Sequence, residues 1–164
     1  MSNGQPLNDE DRWDWLIVLR QQALLSLQAH ATSSEPPPPT RHLNPDPTHA
    51  PLATPAPGVV VTCSALKHKY RDVLRVASYN ASNVHVHFLY LRVSEQLSLE
   101  RATARVGHYM KANMVHSQFA ILEEPTVQEW DCITIDCGVP QEEVLKSALA
   151  GVQKELQRLG SVKA

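Results

Sequence analysis

Apolar residues recur every three to four positions over residues 9–30. Leu16, Leu19, Ala23 and Leu27 share one side of a helix, and Trp15, Val18 and Leu25 widen that side, so a largely buried helix is expected. Asn8 is placed to cap it. Asp9, Glu10 and Asp11 load its first turn with negative charge, where the helix dipole favours it. The periodicity then stops. Residues 31–58 hold Pro36 to Pro39 in a row, then Pro45, Pro47, Pro51, Pro55 and Pro57. Such a stretch has too few apolar groups to offset the entropy of ordering, and it reads as an extended or disordered insertion. Its proline run at 36–39 is also a candidate ligand for a proline-recognising module.

The run Val59-Val60-Val61 reads as a buried strand feeding a helix capped by Ser64. In that helix Leu66, Tyr70 and Leu74 make an inner face, and Lys67, Arg71 and Arg75 make a cationic stripe beside it. Open α/β sheets bind ligands beyond the carboxyl ends of their strands. The stripe is therefore a candidate site for a phosphorylated or carboxylated small molecule, with a solvated basic face as the plainer alternative. Val84 to Leu91 alternates and then turns apolar, a second strand. His85 and His87 lie on one face of it. They read as a polar pair, since no Cys or acid completes a metal shell.

Ser94 caps a helix expected to run to about Val106, on which Arg101, Arg105 and His108 recur at i, i+4 and i+7. No Asp or Glu stands three or four residues from Arg101. Two guanidinium forks on one face suit a polyphosphate. Residues 107–125 mix Gly, Lys, Ser and Gln around a short apolar helix, as a mobile cover does. Cys132 to Asp136 is a third strand. A final helix starts with Pro140, carries Glu142 and Glu143 in its first turn, turns Leu145, Ala148, Val152, Leu156 and Leu159 inward, and stops at Gly160. Strands separated by helices predict an α/β fold with a parallel sheet and flanking helices.

Composition narrows this further. A chain of 164 residues that is 43% hydrophobic suits one domain with a core. No eighteen consecutive residues are apolar, so no membrane span is expected. A net charge of -2 gives no global field to recruit nucleic acid. Cys63, Cys132 and Cys137 are odd in number and match no zinc spacing, and residues 1–8 carry no signal segment. A reduced, cytoplasmic chain is the simplest expectation.

The run Cys63-Ser64-Ala65-Leu66-Lys67, followed by Tyr70-Arg71-Asp72 and Leu74-Arg75, closely resembles the gluconokinase family. So does the set Met1-Ser2, Gly4, Pro6-Leu7, Asp9, Asp11-Arg12 and Trp15-Leu16. A third block is Arg101, Arg105, Gly107-His108, Met110-Lys111, Ser117-Gln118-Phe119, Leu122-Glu123 and Pro125. The resemblance implies a P-loop kinase of nucleoside-kinase-like fold that moves the γ-phosphoryl of ATP to the 6-hydroxyl of D-gluconate, with magnesium. It places Arg101, Arg105 and His108 in a lid over ATP, and Lys67, Arg71, Arg75 and Ser64 on the substrate side. It places no metal ligand and no intact catalytic residue in this chain. The chain departs from the family where phosphate is held. No G-x-x-x-x-G-K-[ST] occurs in the 164 residues. The expected fold therefore lacks the family's first strand, phosphate loop and second strand. Residues 1–30 become its substrate-side helix, 31–58 an insertion, and 59–164 the remainder, with the lid at about 94–125. A gluconokinase inactive on its own is the reading that follows. A degenerate non-catalytic binding module and a truncated gene-model fragment are the alternatives.

Overall fold

Five helices and two strands account for the secondary structure of residues 9–32, 57–104 and 112–161, the parts that a computed structural model describes. Helix α1 spans Asp9–Thr32 and helix α2 spans His68–Asn80. They pack through Leu16, Tyr70 and Val73, flanked by Ile17, Cys63, Ala65 and Leu74. Full burial of such side chains contributes about 1.5–3 kcal/mol each. The expectation that α1 is largely buried needs correction. Leu16 is buried and Leu19, Ala23 and Leu27 are half-buried, but Trp15, Val18 and Leu25 are exposed. Among the described residues only α2 covers this helix to any extent, so one stripe finds shelter and its flank does not. Asn8 lies outside the described residues, as do positions 33–56 of the expected insertion.

Val59–Val61 is the second correction. This run forms no strand, and Val60 is 94% exposed. A strand exists only where a neighbour satisfies its backbone, and none of the described residues does so here. Ser64 is the third. Helix α2 starts after Lys67, whose side chain makes no capping bond. The Ser64 carbonyl instead accepts the Leu66 N–H at 2.7 Å. The exposed amides of α2 find another acceptor: the His68 N–H donates to the Glu123 carboxylate at 2.7 Å.

Strands β1 (Phe88–Arg92) and β2 (Cys132–Asp136) run parallel, Phe88 opposite Cys132 and Arg92 opposite Asp136. β2 lies where the sequence places it; β1 begins four residues later than the alternation suggests. Between them come α3 (Glu95–Ala104) and α4 (Ala112–Ala120), which pack on each other. The Ser94 hydroxyl caps α3 as expected, accepting the Leu97 N–H at 3.2 Å. Helix α5 (Gln141–Ser161) covers β2. It begins one residue after Pro140, whose carbonyl accepts from Glu143 and Val144, and it runs one residue past Gly160.

The inner face of α5 differs from the expected one. Ala148 and Leu159 are half-buried, but Leu145, Leu149, Val152 and Leu156 are exposed. Gly151 explains the rotation. A β-carbon there would stand 3.0 Å from Ile133 Cγ2, so the helix backbone itself lies against β2. The face that meets the sheet then runs through Val144, Ala148, Gly151 and Glu155, one residue off the most apolar stripe.

The three cysteines are free; Cys137 is buried, Cys63 and Cys132 half-buried. Burial pushes all three thiols above their ordinary range. No described helix is long and apolar enough to cross a membrane.

Candidate functional site

Three of the four candidate substrate-side residues meet carboxylates of the chain itself. Lys67 Nζ lies 2.9 Å from Asp9 Oδ1. Lys69 and the Tyr70 hydroxyl donate to the same carboxylate, which these bonds hold well below the usual carboxylate range. Burial, and then the Asp9 bond, push the Tyr70 phenol up to about 12. The first turn of α1 is thereby clamped to the first turn of α2.

Arg71 turns inward. Its Nε and Nη2 make a bidentate pair with Glu129 at 2.7 and 2.6 Å, and both side chains are almost fully buried. Its Nη1 donates to the carbonyls of Ala65 and Glu123 at 3.2 and 3.0 Å. Arg75 bridges Asp131 (2.7 and 2.8 Å), Glu129 (2.7 Å) and Asp72 (2.8 Å), and its guanidinium lies over the Phe88 ring. The bond to Asp131 does most to raise Arg75 above the ordinary arginine value. The bonds from Arg71, then Arg75, pull Glu129 down to about 2. The cationic stripe is real, and it is neutralised from within. Ser64, the fourth candidate, is exposed.

Glu129 and Asp131 are the acidic partners of the stripe that sequence reasoning missed. The signal was an acid pair two apart across Trp130, matched to arginines four apart on α2. Nothing in either motif says that they meet across more than fifty residues.

Arg101, the lid candidate within the described residues, sits elsewhere. It is exposed on α3, and its Nη2 donates to the Cys137 carbonyl at 2.9 Å, immediately past the carboxyl end of β2. Arg105 and His108 lie outside the described residues. That contact puts Arg101 at the carboxyl edge of the parallel sheet, the edge where α/β proteins take ligands.

The opposite edge holds a groove of about 320 Å³ beside α2, lined among others by His68, Asp72, Tyr79, His85, His87 and Trp130. His87 packs edge-on against Trp130, and its buried Nδ1 has no hydrogen-bond partner among the described residues, 3.9 Å from Glu155. Burial, chiefly, lowers its pKa, opposed by Glu155 and reinforced by Arg158. Burial disfavours the charged imidazole in the folded chain relative to the unfolded chain, which protonates it near pH 6.5. Stability from His87 is thus complete above about pH 6.5 and is lost as pH falls below it. Urea unfolding at pH 7.5 and pH 5.5 should show a drop that His87→Gln makes shallower; an equal drop in both chains would refute this assignment. Glu129 acts in a lower window, complete above its ordinary value of 4.5 and lost on the way to about 2. Among the described residues no group of three or more His, Cys, Asp or Glu is arranged to hold a metal ion.

No family model matches the chain. Individual relatives do. A protein described as "Probable gluconokinase" from Schizosaccharomyces pombe is 38% identical over 154 residues, 94% of this chain and 67% of its own length. The "Thermoresistant gluconokinase" of Escherichia coli is 31% identical over 94% of this chain and 70% of its own length. The crystal structure of a gluconokinase from Sinorhizobium meliloti superposes with a TM-score of 0.66 at 30% identity, covering all of this chain and 74% of that one. The relatives are longer: the chain spans 55% of a Saccharomyces cerevisiae relative.

Proposed function

The chain belongs to the gluconokinase family, and from that premise we propose that it forms the lid and acceptor-side portion of an enzyme that transfers the γ-phosphoryl of ATP to gluconate. Phosphoryl transfer needs backbone amides around the phosphates, a lysine on their oxygens, a hydroxyl and acid for Mg²⁺, and a group orienting the nucleophile. ATP brings the transferable group, and magnesium would neutralise charge on it. The described residues offer no cluster that fits the metal, so that role is not assigned to them. What this chain supplies is positioning. Arg101 carries positive charge to the carboxyl end of β2 with one donor fixed on Cys137. Arg71 and Arg75 tie α2 to the 123–131 segment, which fixes the helix that Lys67 immediately precedes.

The observation that carries this reading is the match to gluconokinases over nearly the whole chain, coupled with the lack of a G-x-x-x-x-G-K-[ST] run in it. Losing one oxyanion-type donor typically costs about 2.7–4 kcal/mol of barrier, so a chain without the cradle is expected to be inactive by itself. A coupled assay with ATP, Mg²⁺ and gluconate should show no gluconate-dependent ADP release by the 164-residue chain. Calorimetry should show ATP binding near the millimolar range, weakened by Arg101→Ala. Clear turnover by this chain alone, or ATP binding that Arg101→Ala leaves unchanged, would overturn the proposal.

A further inference from the structure

All three polar groups of Glu123 end on one short stretch of chain. Its N–H donates to the Leu66 carbonyl at 2.8 Å, its carboxylate accepts the His68 N–H at 2.7 Å, and its carbonyl accepts Arg71 Nη1 at 3.0 Å. Lys67 stands between the first two of these partners and immediately precedes α2. The first amides of a helix find no acceptor within the helix, and a carboxylate there also answers the helix dipole. Lys67 supplies no side-chain cap, so an acid 55 residues along the chain from His68 takes the role. The Lys67 carbonyl in turn accepts the N–H groups of Tyr70 and Arg71 at 3.0 and 3.3 Å, closing the first turn. Its side chain is held as well: Nζ lies 2.9 and 3.1 Å from the two oxygens of Asp9. An ammonium has three donors, and two contacts leave one for a ligand.

Glu123 is equally tied to the helix before it. It stands just past Ala120, the last residue of α4. The N–H groups of Ile121 and Leu122 donate back to the Gln118 and Phe119 carbonyls at 3.3 and 3.2 Å, so a hydrogen-bonded turn connects α4 to Glu123. Helix α4 packs on α3, which bears Arg101, and His116 Nδ1 on α4 stands 2.8 Å from Glu95 on α3. One residue thus joins the α3–α4 pair to the start of α2.

We propose that Glu123 is a positioning residue: by capping α2 it fixes where Lys67 presents its remaining donor to the anionic sugar acid, an assignment that deepens, and rests on, the reading of Lys67 as an acceptor-side group. Calorimetric titration of the 164-residue chain with sodium D-gluconate, beside NMR of the Lys67 and His68 amides, tests it. The parent chain should bind gluconate and shift both amides. Glu123→Ala should weaken binding by about fivefold or more, the scale of a lost helix cap. Glu123→Gln should restore most of that loss, because its amide oxygen still accepts the His68 N–H. Glu124→Ala, which removes the same charge one position along, should leave binding unchanged. If Glu123→Ala fails to fold, Glu123→Asp replaces it: the charge stays, the acceptor retreats by a methylene, and binding should weaken while the circular dichroism stays native. No gluconate binding by the parent chain would overturn the acceptor-side reading and the proposal together. Binding that Glu123→Ala or Glu123→Asp leaves unchanged would overturn the proposal alone. So would Glu123→Gln as weak as Glu123→Ala, or an equal weakening in Glu124→Ala.

Discussion

Arg71→Ala is expected to lower unfolding free energy by about 3–5 kcal/mol, the range for removing one partner of a buried ion pair. Glu129 is 6% exposed as a residue and would keep Arg75 as its sole guanidinium. The carbonyls of Ala65 and Glu123 would lose their shared donor as well. Against a total stability of about 5–15 kcal/mol this is enough to populate the unfolded chain. Arg71→Lys should recover little, because an ammonium cannot present a planar fork to Glu129 while also reaching two carbonyls. Urea denaturation measures both. A loss under 1 kcal/mol for Arg71→Ala would show that the network is ornamental.

Leu16→Ala should cost about 2–5 kcal/mol, whereas Trp15→Ala, one position along and a larger side chain, should stay within about 0.5 kcal/mol. The contrast tests the docking of α1 directly. Leu16 is buried against Tyr70 and Val73, and its loss leaves a cavity between two helices with few other contacts. Trp15 is exposed and leaves no cavity behind. Chemical denaturation of the two variants decides it; equal losses would mean that α1 buries both faces in solution.

Much of the secondary structure was legible because it is local. The short run Cys132–Asp136 that forms β2, the Ser94 cap and the four-residue spacing of Tyr70 and Leu74 each act within a few positions, although Leu66, expected on the same helix, lies before its start. What failed was what depends on distant partners. Val59–Val61 has the composition of a strand and no neighbour among the described residues to make it one. The most apolar stripe of α5 lost the sheet to the stripe containing Gly151, since a missing side chain permits a closer approach than a leucine. The site was half legible in the same way. The stripe of Lys67, Arg71 and Arg75 could be read from spacing. Its charge balance could not, because Asp9, Glu129 and Asp131 arrive from elements more than fifty residues away.

The burial of the cysteines has a practical corollary. A thiolate is the nucleophile that attacks an alkylating reagent, and burial, which raises all three thiols, disfavours it. Two of them report on different openings: Cys63 on separation of the first two helices, Cys137 on fraying at the end of the second strand. Timed modification with a small maleimide, read by mass, would rank the lifetimes of the two halves of the molecule without any added label.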